Sequence, residues 1–197
     1  MGQRIIGLTG GIATGKSTVS QYLVDRYGIP VLDADQYARE AVALGSPILG
    51  AIAQRYGPTI LLPEGSLNRA QLGEIIFHNS SEKQWVEQQI HPFVRQRFAE
   101  EMQRLQDQPV VVHAIPLLFE ANLTDQVTET WVVACTEAQQ RQRLMQRNQL
   151  TPEQADARIY NQMPLAEKLA QADVRLDNST SLEALYHQVD LALQQAA

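Results

Sequence analysis

The chain has 197 residues, a formal net charge of -6, 44% hydrophobic and 19% charged residues. That length suits one domain with room for a helical insertion, and the acidic balance argues against non-specific nucleic-acid binding without excluding a local phosphate site. The single cysteine, Cys135, excludes an intrachain disulfide and argues against a cysteine-based zinc site; a small buried side chain is its ordinary role. No apolar stretch nears the ~18 residues of a membrane span. The N-terminus lacks the pattern of a secretory signal, so the expected location is the cytoplasm.

Residues 4–9 read as a strand, followed by a glycine-rich turn and a helix. Val19, Tyr22, Leu23 and Tyr27 supply that helix's spacing, and Gly28 its C-terminal stop. Val31 and Leu32 form a second short strand leading into Asp33-Ala34-Asp35. The next seventy residues read as helical throughout. Ile48, Leu49, Ile52, Ala53 and Tyr56 make one stripe, ended by Gly57-Pro58. Asn68 with Gln71 resembles a capping box, and Ile90-His91-Pro92 is read as the break between two further helices.

Residues 109–115 form a continuous apolar run typical of a buried parallel strand, and residues 131–135 another. The stretch 137–171 is helical and more polar, with a helix start at Thr151-Pro152-Glu153-Gln154. Residues 174–176 read as a last strand, and Ser181 caps a final helix. Alternating strands and helices predict an α/β fold, a parallel sheet covered on both faces. We expect a single domain whose core takes in about residues 1–44, 108–140 and 172–197. A helical acceptor-side insertion would occupy about 45–107 and a lid about 141–171.

Gly10-Gly11-Ile12-Ala13-Thr14-Gly15-Lys16-Ser17 fits G-x-x-x-x-G-K-[ST] and lies between a strand and a helix, the context that a P-loop requires. Glycines let successive N–H groups turn toward a phosphate, and the helix adds its free N-terminal donors. Lys16 brings a charge to the β and γ phosphates, and the Ser17 hydroxyl suits Mg²⁺. A glycine-rich turn that merely contains lysine would not need both the four fixed positions and the strand–helix setting. The chain has no Asn-Lys pair, which argues against a GTPase, and no carboxylate at the tip of the 109–115 strand, unlike motor-type ATPases.

Asp33, just past the second strand, falls where ligands collect in an open parallel sheet. It can orient an incoming hydroxyl and accept its proton, or cap a helix. Asp35 carries the same two readings. Arg143 and Arg147, four apart, share a helix face and suit a phosphate clamp or a solvated basic surface. Glu137 is placed to pair with Arg141, a structural role. His113 reads as a core histidine within its strand, and no group of residues shows zinc spacing.

Together these residues resemble the dephospho-CoA kinase family along nearly the whole chain. The opening Leu8 to Thr18, the acidic Asp33-Ala34-Asp35, Arg69 with Leu72 and Ile76-Phe77, His91-Pro92 and Pro116-Leu117-Leu118-Phe119-Glu120 are similar to its motifs. So are Arg143-Leu144, Arg147, Gln162, Lys168, Ala172-Asp173 and Asp177-Asn178. Ala13-Thr14 stands where Gly-Ser is often found, and Asn148 where Asp is frequent. The resemblance implies a five-stranded parallel core with a helical CoA-side domain and a mobile lid. It implies transfer of the ATP γ-phosphate to the ribose 3′-hydroxyl of dephospho-CoA, with Mg²⁺.

By that resemblance Lys16, Asp33, Arg143 and Arg147 are catalytic. Gly11, Ile12, Ala13, Thr14, Gly15, Lys16, Ser17, Thr18 and Asn178 bind ATP. Asp33, Asp35, Arg69, His91, Pro116, Leu117 and Leu118 bind the acceptor. The expected partners are these two small molecules, with neither nucleic acid nor membrane, in a monomer or small homo-oligomer. The remaining alternatives are another nucleotide or small-metabolite kinase, or a non-catalytic ATP-binding regulator.

Overall fold

Five strands, β1 (Arg4–Gly10), β2 (Val31–Asp33), β3 (Val110–Ala114), β4 (Glu129–Ala134) and β5 (Val174–Asp177), form one sheet in the order β2-β3-β1-β4-β5. All pairings are parallel, with Ile6 opposite Val112 on one side and Leu8 opposite Trp131 on the other. The computed structural model describes residues 2–195. Within them the chain divides into two compact units. One runs to Asp33 and resumes at Leu105; the other is Ala34–Arg104.

In the sheet unit, α1 (Lys16–Tyr27) and α9 (Leu182–Gln194) cover one face. Ile6, Leu8, Trp131, Val133 and Leu176 point from the strands into this layer, where they meet Val19, Leu23, Leu185 and Val189. Burying each such side chain contributes about 1.5–3 kcal/mol. The helices α6 (Glu137–Asn148), α7 (Pro152–Tyr160) and α8 (Leu165–Ala170) follow β4, and α8 packs on it. Thr136 and Thr151 each open their helix with a full capping box. Ser181 accepts from Ala184 N and starts α9. Gly28 ends α1 in the left-handed region at φ 64. The parallel α/β architecture matches the expectation from alternating strands and helices.

The second unit holds α2 (Ala34–Ala41), α3 (Pro47–Tyr56), α4 (Arg69–His78) and α5 (Ser80–Arg104). It begins at Ala34, upstream of the residue 45 read as the start of the insertion. Its core gathers Val42, Leu49, Ile52, Ile60, Leu67, Leu72 and Val86. Arg55 donates to both carboxylate oxygens of Glu82, at 2.7 and 2.9 Å, and the Tyr56 hydroxyl adds a third bond of 2.6 Å, tying α3 to the first turn of α5.

Three sequence expectations change here. The Ile90-His91-Pro92 break does not exist: α5 runs continuously through Pro92. Proline removes one donor, but both Pro92 and Gln88, whose carbonyl loses its partner, are exposed, so water can replace the bond. The segment after Gly57 is not helical up to Asn68. It forms a short 3-10 turn at Pro58–Ile60 and a bridge between Leu61 and Leu67, as expected around Pro58, Pro63 and Gly65. The cap at Asn68 is half a capping box. Its side chain accepts from Gln71 N at 3.1 Å, while the Gln71 amide meets the Asn68 side chain instead of its backbone.

Candidate active site

The loop between β1 and α1 lies at the carboxyl end of the central strand, where the strand order departs to both sides. Among the described residues, the N–H groups of Ala13, Gly15, Lys16 and Ser17 find no backbone acceptor, which leaves a run of donors in one short loop. Four amides in this setting, at the start of a helix, suit an anion. Ala13 has φ 61 and Gly15 φ 108, the left-handed turns that bring successive N–H groups to one side. A side chain at Gly15 would collide with the Asn178 amide.

The outer side of the loop is held by side chains. Buried Thr14 donates its hydroxyl to Gly11 O at 2.9 Å. Asn178, just past β5, donates to Thr14 O at 2.7 Å. Arg143 of α6 donates to Thr14 O at 3.4 Å and to Asn178 O at 3.1 Å. Gln140, one turn earlier on α6, donates to Ile12 O at 2.9 Å, and Ile12 N donates to the Gln162 amide oxygen at 2.8 Å. Lys16 and Ser17 begin α1. Lys16 Nζ stands 3.4 Å from Asp33 Oδ2 with its side chain mostly covered, and Ser17 is exposed.

The residues proposed from sequence thus separate into groups. Lys16 and Asp33 meet directly. Gly11 to Thr18, Arg143 and Asn178 belong to one cradle. Arg147, exposed, donates to its neighbour Asn148 at 2.9 Å. Arg141 is bound to Glu137 and Asp156 on the polar face, the structural role read for it. After β3, Pro116 O accepts from Thr9 Oγ1 at 3.0 Å and from Lys168 Nζ at 3.0 Å. Leu117 is exposed, whereas Leu118 is wholly buried against Gly7, so any part it has in acceptor binding runs through holding Leu117 in place. In the other unit, Asp35 lies inside the first turn of α2 instead of preceding it, Arg69 opens α4 and donates to Arg39 O at 3.5 Å, and His91 is an exposed residue of α5.

Sequence reasoning left four residues out of the site. Gln140 and Gln162 grip the loop. Lys168, with no solvent exposure, donates to Glu120 at 2.8 Å, and Met163 N donates to the same Glu120 oxygen at 3.1 Å. The Glu120 Oε2 atom is buried without a hydrogen-bond partner among the described residues. Burial pushes the Cys135 thiol up, against the pull of Arg143. Among the described residues, no three His, Cys, Asp or Glu side chains form a group able to hold a metal ion. No helix among them is long and apolar enough to cross a membrane.

The family model described as dephospho-CoA kinase matches residues 4–184. A dephospho-CoA kinase from Nostoc sp. is 61% identical over 193 residues, covering 98% of each chain. One from Synechocystis sp. is 59% identical, covering 95% of this chain and 93% of its own. Among solved structures, a protein from Thermus thermophilus superposes over the full length of both chains with a TM-score of 0.83 and 34% identity. A dephospho-CoA kinase from Campylobacter jejuni superposes with a TM-score of 0.71 and 28% identity, over 98% of this chain and 96% of its own.

Proposed function

The chain belongs to the dephospho-CoA kinase family, and from that premise we propose that it transfers the γ-phosphate of ATP to the ribose 3′-hydroxyl of dephospho-CoA, giving CoA and ADP, the last step of coenzyme A synthesis. The observation that carries this reading is the pairing of Lys16 with Asp33 at 3.4 Å beside a loop whose N–H groups lack backbone acceptors. It joins a phosphate-binding cation to a carboxylate able to serve an alcohol.

In this proposal the loop N–H groups and Lys16 hold the β and γ phosphates and neutralise charge as the bond to γ-phosphorus loosens. Asp33 aims the acceptor hydroxyl along the line of attack and takes its proton late, as the new P–O bond forms and the bond to the ADP oxygen breaks. Arg143 supports the loop through Thr14 and Asn178, and Arg147, held here by the Asn148 side chain, is the exposed cation that turns in to the transferring group. With no multi-carboxylate cage among the described residues, Mg²⁺ fits as an ion held by the exposed Ser17 hydroxyl, phosphate oxygens and water. When bound, it adds charge neutralisation at the phosphates.

The polar, arginine-bearing segment 141–171 is proposed as the lid and about 45–107 as the acceptor-side insertion. Asp35, Arg69 and His91 are proposed for acceptor binding on the likeness of their motifs alone, as are Pro116 and Leu117. A cytoplasmic, monomeric or small-oligomeric enzyme is part of the same reading, since the single Cys135 leaves no intrachain disulfide to demand an oxidising compartment.

The test is incubation with ATP, Mg²⁺ and dephospho-CoA, with CoA and ADP as readouts and nucleoside monophosphates as competing acceptors. Turnover of dephospho-CoA alone is expected. Preferred turnover of a monophosphate would make this a different kinase, and nucleotide binding without transfer would make it a regulator.

A further inference from the structure

The N–H and C=O of Ile12 are both held by amide side chains, and the two come from different places. Gln140 is buried within α6 and donates to Ile12 O at 2.9 Å. Gln162 lies in the connection between α7 and α8 and accepts from Ile12 N at 2.8 Å. Room for the first contact depends on Gly11, where an added Cβ would stand 2.6 Å from Gln140 Nε2.

These contacts fix two successive peptide planes. In the plane joining Gly11 to Ile12, the carbonyl oxygen accepts from the Thr14 hydroxyl and the N–H donates to Gln162. In the plane joining Ile12 to Ala13, the carbonyl is taken by Gln140, so the Ala13 N–H on the opposite side is aimed away from α6. Ala13 then turns at φ 61, a conformation that a residue with a Cβ adopts only when its surroundings hold it.

The position of Gln162 is itself set from below. The next residue, Met163, donates its N–H to Glu120 at 3.1 Å, and Glu120 is held by the buried Lys168 at 2.8 Å. Lys168 also reaches Pro116 O, so the α7–α8 connection is bound at the same time to the phosphate loop and to the loop after β3.

We propose that Gln162 is a positioning residue for nucleotide binding: its amide oxygen sets the Ile12 peptide that leads into the Ala13 turn, and so makes ATP affinity depend on the α7–α8 connection. This rests on the phosphate-loop reading above. Gln162 would not touch the reacting atoms. It would act through Ile12.

The test uses Gln162→Ala and Gln162→Glu, with ATP binding measured directly by calorimetry, steady-state kinetics, and melting without nucleotide. Loss of one neutral hydrogen bond to the loop predicts ~3–10-fold weaker ATP binding for Gln162→Ala, with KM rising by more than kcat falls. Gln162→Glu keeps an acceptor oxygen but puts an anion beside the phosphate site. Its ATP affinity should be weakest at neutral pH and recover as the pH falls through the carboxylate range, while its melting temperature without nucleotide stays near the wild-type value. A merely structural contact would produce no such pH dependence. If Gln162→Ala does not fold, Gln162→Glu carries the test alone. Unchanged ATP affinity in Gln162→Ala, or an ATP affinity of Gln162→Glu that parallels wild type at every pH, overturns the proposal. Failure of the wild-type protein to bind ATP at all would instead overturn the phosphate-loop reading.

Discussion

Lys16 Nζ and Asp33 Oδ2 lie 3.4 Å apart, the lysine at the first position of α1 and the aspartate at the last of β2. In the proposed reaction each side chain has a second use once nucleotide arrives. The lysine can turn to the β and γ phosphates, and the carboxylate is left beside the γ-phosphate, where a negative charge is costly unless it serves the acceptor. We predict that Lys16→Ala abolishes transfer while the melting temperature stays close to wild type, because Asp33 keeps part of its side chain in water and is not left as a fully buried unpaired charge. Asp33→Asn keeps the shape and loses the proton acceptor, so kcat should fall ~10²–10⁴-fold with ATP binding unchanged or tighter. Parallel measurement of kcat and ATP binding decides it. Normal kcat in Asp33→Asn would reduce Asp33 to a structural role.

Arg143 and Arg147 differ in what they touch, and their variants should differ accordingly. Arg143 donates to Thr14 O and Asn178 O, so Arg143→Ala should loosen the loop, raise the KM for ATP and lower the melting temperature. Among the described residues, Arg147 binds the neighbouring Asn148 side chain alone. Arg147→Ala should leave melting untouched and act on kcat, by as much as ~10³-fold if the guanidinium meets the transferring group. If Arg147→Ala retains most of its kcat, the exposed-surface reading of that residue is the right one.

The phosphate loop was legible because its signature is local: eight consecutive residues between a strand and a helix. The strands were legible for a related reason, since a strand buried on both faces writes itself as an apolar run, as residues 110–114 show. Gln140 was not, and Gln162 was marked only by its likeness to a family motif, with no role attached. They lie 128 and 150 residues from Ile12, and glutamine in a polar helical stretch carries no pattern that separates a loop-gripping amide from a solvated one. Lys168 too was marked only by likeness to a family motif, since a lone lysine in a polar segment gives no local sign of burial, yet here it has no exposure. Pro92 misled because the local rule against proline in helices is outweighed when the orphaned carbonyl faces water.

The Lys168–Glu120 pair gives a stability prediction. Lys168 donates to Glu120 Oε1 at 2.8 Å and to Pro116 O at 3.0 Å from a position without solvent exposure. Lys168→Met would strand the Glu120 carboxylate and the Pro116 carbonyl together. Breaking a buried ion pair from one side costs about 3–5 kcal/mol. Glu120 is partly exposed, which places the expectation at the lower end of that range. Denaturant unfolding of Lys168→Met, Glu120→Gln and the double variant measures the coupling. Additive single effects would show that the two charges do not act as a pair.

His113 supplies a pH dependence of stability whose sign follows from its burial. It sits in β3 between Gly7 of β1 and Leu32 of β2, 5% exposed, and burial pushes its pKa down from 6.5 to about 4. The folded protein therefore keeps this imidazole neutral over a range where the unfolded chain protonates it. Below pH 6.5 the unfolded state binds the extra proton, so stability is lost as the pH falls from about 6.5 toward 4 and is fully present above that window. The loss attributable to this one group is on the order of 3 kcal/mol at the bottom of the window. Carboxylates titrate in the lower part of the same range, so the comparison must be with a variant. His113→Asn keeps a polar group of similar reach and cannot take up the proton. Its unfolding free energy, measured from pH 7.5 to 4.5, should decline less steeply than that of wild type, the two curves drawing together as the pH falls. Curves that stay parallel across the range would mean that His113 is protonated in the folded protein as readily as in the unfolded chain.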